Sequence, residues 1–200
     1  MQPATILTIG HSNHSIEKLV GLLKASGVEV VVDTRSQPYS KYTTQFNREA
    51  LQSVIAGAGM KYLYLGRELG GRPEGAEFYD GEGRVLYSKV AESRPFREGI
   101  ERVQAGAECY RVALLCAEED PRDCHRRLLV ARVLAERGGI VIQHIRGDGR
   151  LQPEEELRAE LEAEHPERAQ LALFDAPEVE EWKSTRSVLQ RKTPENSSAV

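Results

Sequence analysis

The sequence predicts an α/β domain built on a mainly parallel sheet of about five strands flanked by helices. Three observations predict it. Short apolar runs alternate with segments of helical periodicity. The runs are almost continuously apolar, which fits strands covered on both faces. Each run leads into a polar cluster, the place where parallel α/β sheets bind ligands.

Ala4–Ile9 reads as the first strand, stopped by Gly10. Ser15 can cap a helix in which Ile16, Leu19, Val20 and Leu23 recur at helical spacing, and Gly27 ends it. Val28–Val32 is a β-branched run ending at Asp33. Asn47 can cap a second helix carrying Leu51, Val54 and Ile55, followed by a strand over Met60–Leu65. Residues 66–88 hold six glycines and a proline and read as a long loop. Pro95 suits the first turn of a helix bearing Phe96, Ile100 and Val103. Val112–Leu115 is a fourth strand, and Leu128–Leu134 lies on a helix stopped by Gly138 and Gly139. Ile140–Ile145 is a fifth strand. Helical connections imply parallel pairing through right-handed crossovers. Strand order does not follow from this pattern; an open Rossmann-like sheet and a partial barrel both satisfy it.

The character changes near residue 150. Residues 1–150 read as the α/β domain that carries the site. Residues 151–200 read as an acidic helix over Pro153–Glu164, an extended peptide and a disordered tail. Trp182 and its basic neighbours read as part of a solvated terminus.

With 40% hydrophobic and 29% charged residues among 200, the chain can bury a core and stay soluble. The net charge of −4 argues against bulk electrostatic binding of nucleic acid. No apolar run approaches the roughly 20 residues that span a bilayer, so no membrane partner is expected. Three cysteines, Cys109, Cys116 and Cys124, do not suit a disulfide scaffold, and the cytoplasm is the expected compartment.

The strand ends carry the chemistry. His11, Asn13 and His14 follow the first strand. Asp33, Arg35, Tyr39 and Tyr42 follow the second, and Arg67, Glu68 and the Gly70-Gly71-Arg72 turn follow the third. The fourth runs into Cys116-Ala-Glu-Glu-Asp-Pro-Arg-Asp-Cys124-His125-Arg126-Arg127. Asp33 alone could cap the next segment, His11 alone could be structural, and Cys116 alone could be a small core residue. Their coincidence at one sheet edge points to a site.

Three chemistries compete for it. Cys124 in a helical first turn, beside Arg126 and Arg127, is placed to ionise, although Glu118, Glu119 and Asp120 oppose a thiolate. Cys116 and Arg122 match a phosphatase-like Cys-x5-Arg spacing, but three carboxylates and Pro121 spoil the loop of free amides that phosphate needs. Cys116, Cys124, His125 and His11 are zinc-type ligands. Yet Cys124 and His125 are adjacent and point about 100° apart on a regular helix, so a shared ion demands an irregular turn. A metal-free enzyme site would use Glu118 or His125 to move protons, Arg35 and Arg126 to hold an anion, with Asn13 and Tyr39 beside them, and a cysteine as nucleophile. The substrate would then be anionic, a nucleotide or a nucleic-acid component. Cofactor identity stays open between zinc and none.

The chain resembles the "domain of unknown function 488" family over roughly residues 5–147. The resemblance rests on Thr8-Ile9-Gly10-His11-Ser12, Asp33-Thr34-Arg35-Ser36-Gln37-Pro38, Gln45-Phe46-Asn47, Leu69-Gly70-Gly71, and Cys116-Ala117-Glu118 followed by Cys124-His125-Arg126. It implies that His11, Asp33, Arg35, Cys116, Glu118, Cys124, His125 and Arg126 form a shared site, and it implies no reaction. A weaker similarity to rhodanese-like domains lies in the Asp-x-Arg after one strand and the cysteine after another. Cys116 lacks the compact glycine-containing loop that a persulfide site would use.

Gln170-Leu171-Ala172-Leu173-Phe174 resembles the peptides by which bacterial replication and repair proteins dock on the DNA sliding clamp. Leu173 and Phe174 would fill an apolar pocket, with Gln170 at its rim. The alternation of Leu171 and Leu173 equally suits a short strand packed on the domain.

Overall fold

A computed structural model describes residues 3–164 and 181–188. The Gln170–Phe174 peptide and residues 190–200 lie outside them.

The domain is an open six-stranded sheet with helices on both faces. The strands are β1 (Ala4–Gly10), β2 (Val30–Asp33), β3 (Lys61–Tyr64), β4 (Val112–Cys116), β5 (Ile140–Ile145) and β6 (Leu151–Pro153). Their order is β3-β2-β4-β1-β5-β6. The first five are mutually parallel, and β6 is antiparallel to β5. The sequence pattern missed β6 because three residues ending in proline carry no periodicity. It survives as an edge strand because Gln152 and Leu157 behind it are buried.

Burial on both faces explains the apolar runs. Leu7, Ile9, Val31, Ala113 and Leu115 face α1 (Ile16–Ala25) and α2 (Arg48–Gly57), which contribute Leu19, Leu23, Leu51 and Ile55. Ile6, Val30, Val32, Val112 and Leu114 share the opposite core with Leu65 and Leu69, where α3 (Gly66–Leu69) ends. Val90 of α4 (Tyr87–Glu92) and Phe96, Ile100 and Val103 of α5 (Arg94–Cys109) join that core. Leu134 of α6 (Arg132–Glu136) completes it. Each such fully buried side chain contributes on the order of 1.5–3 kcal/mol. Ser15 caps α1 by accepting from the Lys18 N–H at 3.2 Å, as its position predicts. Asn47 occupies the start of α2, but its side chain instead accepts from the Ser40 N–H at 2.7 Å.

Two segments differ from the sequence reading. Residues 66–88 are not one long loop. They contain α3, a 3-10 turn at Ala76–Phe78, a bridge between Tyr79 and Val85, and the start of α4. Leu69, Val85, Leu86 and Tyr87 bury themselves in the core and organise the glycines between them. Residues 181–188 are not a free terminus. Lys183 bridges Leu86, and the Ser184 and Val188 N–H groups donate to Val85 and Gly83. The Trp182 indole N–H donates to the Leu128 carbonyl at 2.9 Å, and Arg132 stacks on the ring.

The acidic helix α7 (Glu154–Glu164) folds back on the sheet. Glu154 holds Arg127 at 2.8 Å and accepts from His144 at 2.8 Å. Among the described residues no helix is long and apolar enough to cross a membrane.

The topology directs a site to the carboxyl end of β4. After β2 the chain passes through α2 on one face to β3. After β4 it passes through α6 on the other face to β5. The chains leaving β4 and its neighbours β2 and β1 therefore turn to opposite faces and leave a crevice at the carboxyl end of β4.

Candidate functional site

Two strand ends supply the floor of this crevice. Asp33 ends β2 and is fully buried. Its carboxylate accepts from the Arg35 backbone N–H at 3.0 Å, from Nε at 2.9 Å and from the terminal nitrogen at 2.6 Å. The Tyr62 hydroxyl donates to it at 2.6 Å. Asp33 is thus saturated and fixes Arg35 as a rigid plate. Arg35 also donates to the Phe46 carbonyl and to Nε2 of His11 at 3.1 Å. His11 then donates through Nδ1 to the Ser12 carbonyl at 2.7 Å and stacks on Phe46. Burial, then the adjacent Arg35 charge, hold the imidazole neutral and lower its pKa to about 4.

Cys116 ends β4. Its sulfur lies 3.7 Å from Nδ1 of His125, whose Nε2 meets the Thr34 carbonyl at 3.1 Å. One ring nitrogen therefore faces the sulfur while the other is oriented by the end of β2. The irregular turn that adjacent Cys124 and His125 demanded is present. Cys124 N–H bonds back to Pro121, both Arg127 and Leu128 bond to the Cys124 carbonyl, and Arg126–Ala131 is π-helical. The donor atoms of Cys116, Cys124 and His125 consequently lie within 4.8 Å of one another. This set offers three zinc-type ligands with an open side. His11 is not in it, because Arg35 and Ser12 already hold both its nitrogens.

The electrostatics assign the thiolate to Cys116, not to Cys124. The neighbouring Cys124 thiol stabilises the Cys116 anion, and the His125 and Arg126 charges add to it. Together they outweigh burial and push Cys116 well below the ordinary thiol range. Burial, followed by the adjacent Cys116 sulfur, pushes Cys124 up. Burial opposes charging His125, but the Cys116 thiolate raises its pKa overall.

Arg126 does not face a substrate. It is fully buried, with Nε on the Thr8 hydroxyl at 3.3 Å and its terminal nitrogens on the Glu118 and Glu119 carbonyls. Its task is to pin the Cys116–Cys124 loop to β1. Gly10 permits this approach, since a Cβ there would lie 1.7 Å from the Glu118 carbonyl oxygen. Gly71 likewise lies against His125, with a Cβ position 2.8 Å from the ring.

A cleft of about 310 Å³ opens over Cys116 and His125. Glu118 and Arg35 line it, together with Arg72 and with Ser184, Thr185, Arg186 and Val188 of the returning segment. Arg35 also lines an adjoining cleft of about 330 Å³ with His11, Tyr39 and Phe46. Tyr39 is exposed and donates to Glu49 at 2.6 Å. Asn13 is exposed and outside both clefts. The wall formed by residues 184–188 went unread in the sequence; a lone tryptophan in a polar stretch was the available signal.

The family model described as "Domain of unknown function DUF488" matches residues 15–133. The chain belongs to this family. The match covers the Asp33–Arg35 plate and the Cys116–Arg126 loop, and strands β1, β5 and β6 lie outside the matched stretch. No curated protein and no solved structure matches the chain.

Proposed function

We propose that this family member is an enzyme of hydrolase or transferase type in which the Cys116 thiolate is the nucleophile. The observation that carries the reading is the Cys116–His125 pair at the floor of an open cleft, with Thr34 orienting the imidazole. Its substrate is anionic, a nucleotide or a nucleic-acid component. The Cys116 sulfur bonds to the electrophilic centre as the leaving-group bond breaks, and the leaving group takes the His125 proton. Attack by water or an acceptor hydroxyl then breaks the sulfur bond, and His125 takes the proton back. The Cys124 thiol holds the thiolate in place. Glu118, exposed in the same cleft, is the second group able to move a proton.

Alkylation followed at each cysteine tests this. Cys116 should react with iodoacetamide well below the pH at which N-acetylcysteine does. A Cys116 profile that superimposes on that reference thiol rejects the nucleophile.

The mutual 4.8 Å spacing favours one second reading, a zinc-binding module in which Cys116, Cys124 and His125 are ligands. The Thr34 carbonyl would be the outer partner that a ligating histidine needs. Metal analysis of protein purified without added metal decides it, since absence of stoichiometric zinc or iron rejects the ligand set. The Gln170–Phe174 peptide supports docking on the DNA sliding clamp in either case. Equal clamp binding by wild type and Phe174→Ala would reject that partner.

A further inference from the structure

The two arginines first expected to grip an anion are both committed elsewhere. Arg35 is neutralised by the bidentate Asp33 carboxylate, and Arg126 is buried on backbone carbonyls. The cleft is nevertheless lined by two further cations, from different segments of the chain. Arg72 follows the Gly70-Gly71 turn that packs on His125, and its backbone N–H is anchored on the Ser36 hydroxyl at 2.9 Å. Its side chain is exposed and has no ion pair among the described residues. Arg186 comes from the returning segment. That segment is held by the Trp182 indole, by Ser184 through Val85, and by Lys183 on Asp80 at 3.3 Å. Arg186 is largely exposed and reaches Asp123, one residue before Cys124, at 3.3 Å.

We infer that Arg72 and Arg186 are the substrate-anion contacts of this site, and that residues 181–188 are a structural wall of it. The bound group is a carboxylate or phosphate, which an arginine can grip through two parallel N–H donors. The cleft does not select anions by bulk charge, because Glu118 and Asp123 also line it. Selection comes from placement. The incoming anion displaces Asp123 from Arg186 and spans to Arg72, which sets its reactive centre over Cys116. This deepens the nucleophile reading but does not depend on it for its test.

Two measurements separate the inferences. Cys116 alkylation by iodoacetate and by iodoacetamide gives a ratio in which intrinsic thiol reactivity cancels. Relative to a free thiol, the ratio should favour iodoacetate, and Arg72→Ala or Arg186→Ala should each lower it by about three- to fivefold. Arg150→Ala, in the β5–β6 turn and paired with Glu156, should leave it unchanged. Unchanged ratios in the cleft variants overturn the inference even where Cys116 proves a fast nucleophile. Inorganic phosphate supplies a readout that needs no reactive cysteine. It should raise the thermal midpoint of the wild-type protein and not that of the Arg72→Ala/Arg186→Ala double variant. No shift in wild type, or equal shifts in both, likewise overturns it.

Discussion

Nδ1 of His125 lies 3.7 Å from the Cys116 sulfur although the two residues leave different elements, and Cys124 completes the triangle from the adjacent position. The Cys124 thiol is the largest influence lowering the Cys116 pKa. Cys124→Ala removes that thiol and leaves His125 in place. The apparent pKa of Cys116 in an alkylation profile should therefore rise toward the ordinary thiol range. In wild type the rate should be flat across neutral pH and fall only on the acid side, where Cys116 takes up its proton. A Cys124→Ala profile identical to wild type would show that the two sulfurs do not communicate.

Gly71 sits where a side chain would strike the imidazole. The nearest atoms are the rigid ring of His125, which Thr34 holds from the other side, so the ring must move. Gly71→Ala should lower Cys116 alkylation at neutral pH by about tenfold, the equivalent of about 1.4 kcal/mol. Unfolding free energy should also fall by about 1–3 kcal/mol, because Gly70 is buried, Gly71 is half-buried and the ring has to shift. Unchanged Cys116 reactivity in the folded variant would show that the ring position does not govern the sulfur.

The comparison of Gly71 with Arg126 shows what the residue order can and cannot reveal. Apolar runs and helix caps announced β1 to β5 and most helices, because burial on two faces leaves a contiguous signal. The strand-end rule gathered Asp33, Arg35, Cys116 and His125 correctly at one edge. It did not tell a solvent-facing arginine from a buried one. Arg35 and Arg126 look alike as residue types, and only the carboxylate or carbonyls beneath them decide their roles. Nor did local pattern reveal that Trp182 anchors a wall of the cleft, because its partners Leu128, Arg132 and Tyr87 are more than 45 residues away.

Arg126 is the test of that distinction. Replacing it with methionine keeps the apolar stem but leaves the Thr8, Glu118 and Glu119 oxygens without their donor. Unmet buried acceptors cost on the order of 1–3 kcal/mol each, so Arg126→Met should lose about 3 kcal/mol or more in denaturant unfolding. The loop it pins carries Cys124, so fast Cys116 alkylation should be lost as well. A stable variant that loses only anion preference would instead return Arg126 to the substrate.

His11 predicts the acid limb of stability. Its folded pKa of about 4 lies below the unfolded value of 6.5, so the folded state resists a proton that the unfolded chain accepts. For this depressed base, stability is full above the unfolded value. It declines as pH falls through 6.5 and stops declining below about 4. The shift corresponds to about 3 kcal/mol for this buried ring. His144, also lowered mainly by burial, adds to the same limb. His11→Gln can keep a bond to Arg35 without a titrating ring. Its unfolding free energy should therefore fall less steeply than wild type between pH 6.5 and 4, by up to one proton. Parallel slopes in the two proteins would mean that His11 is charged in the folded state, and that Arg35 does not hold it neutral.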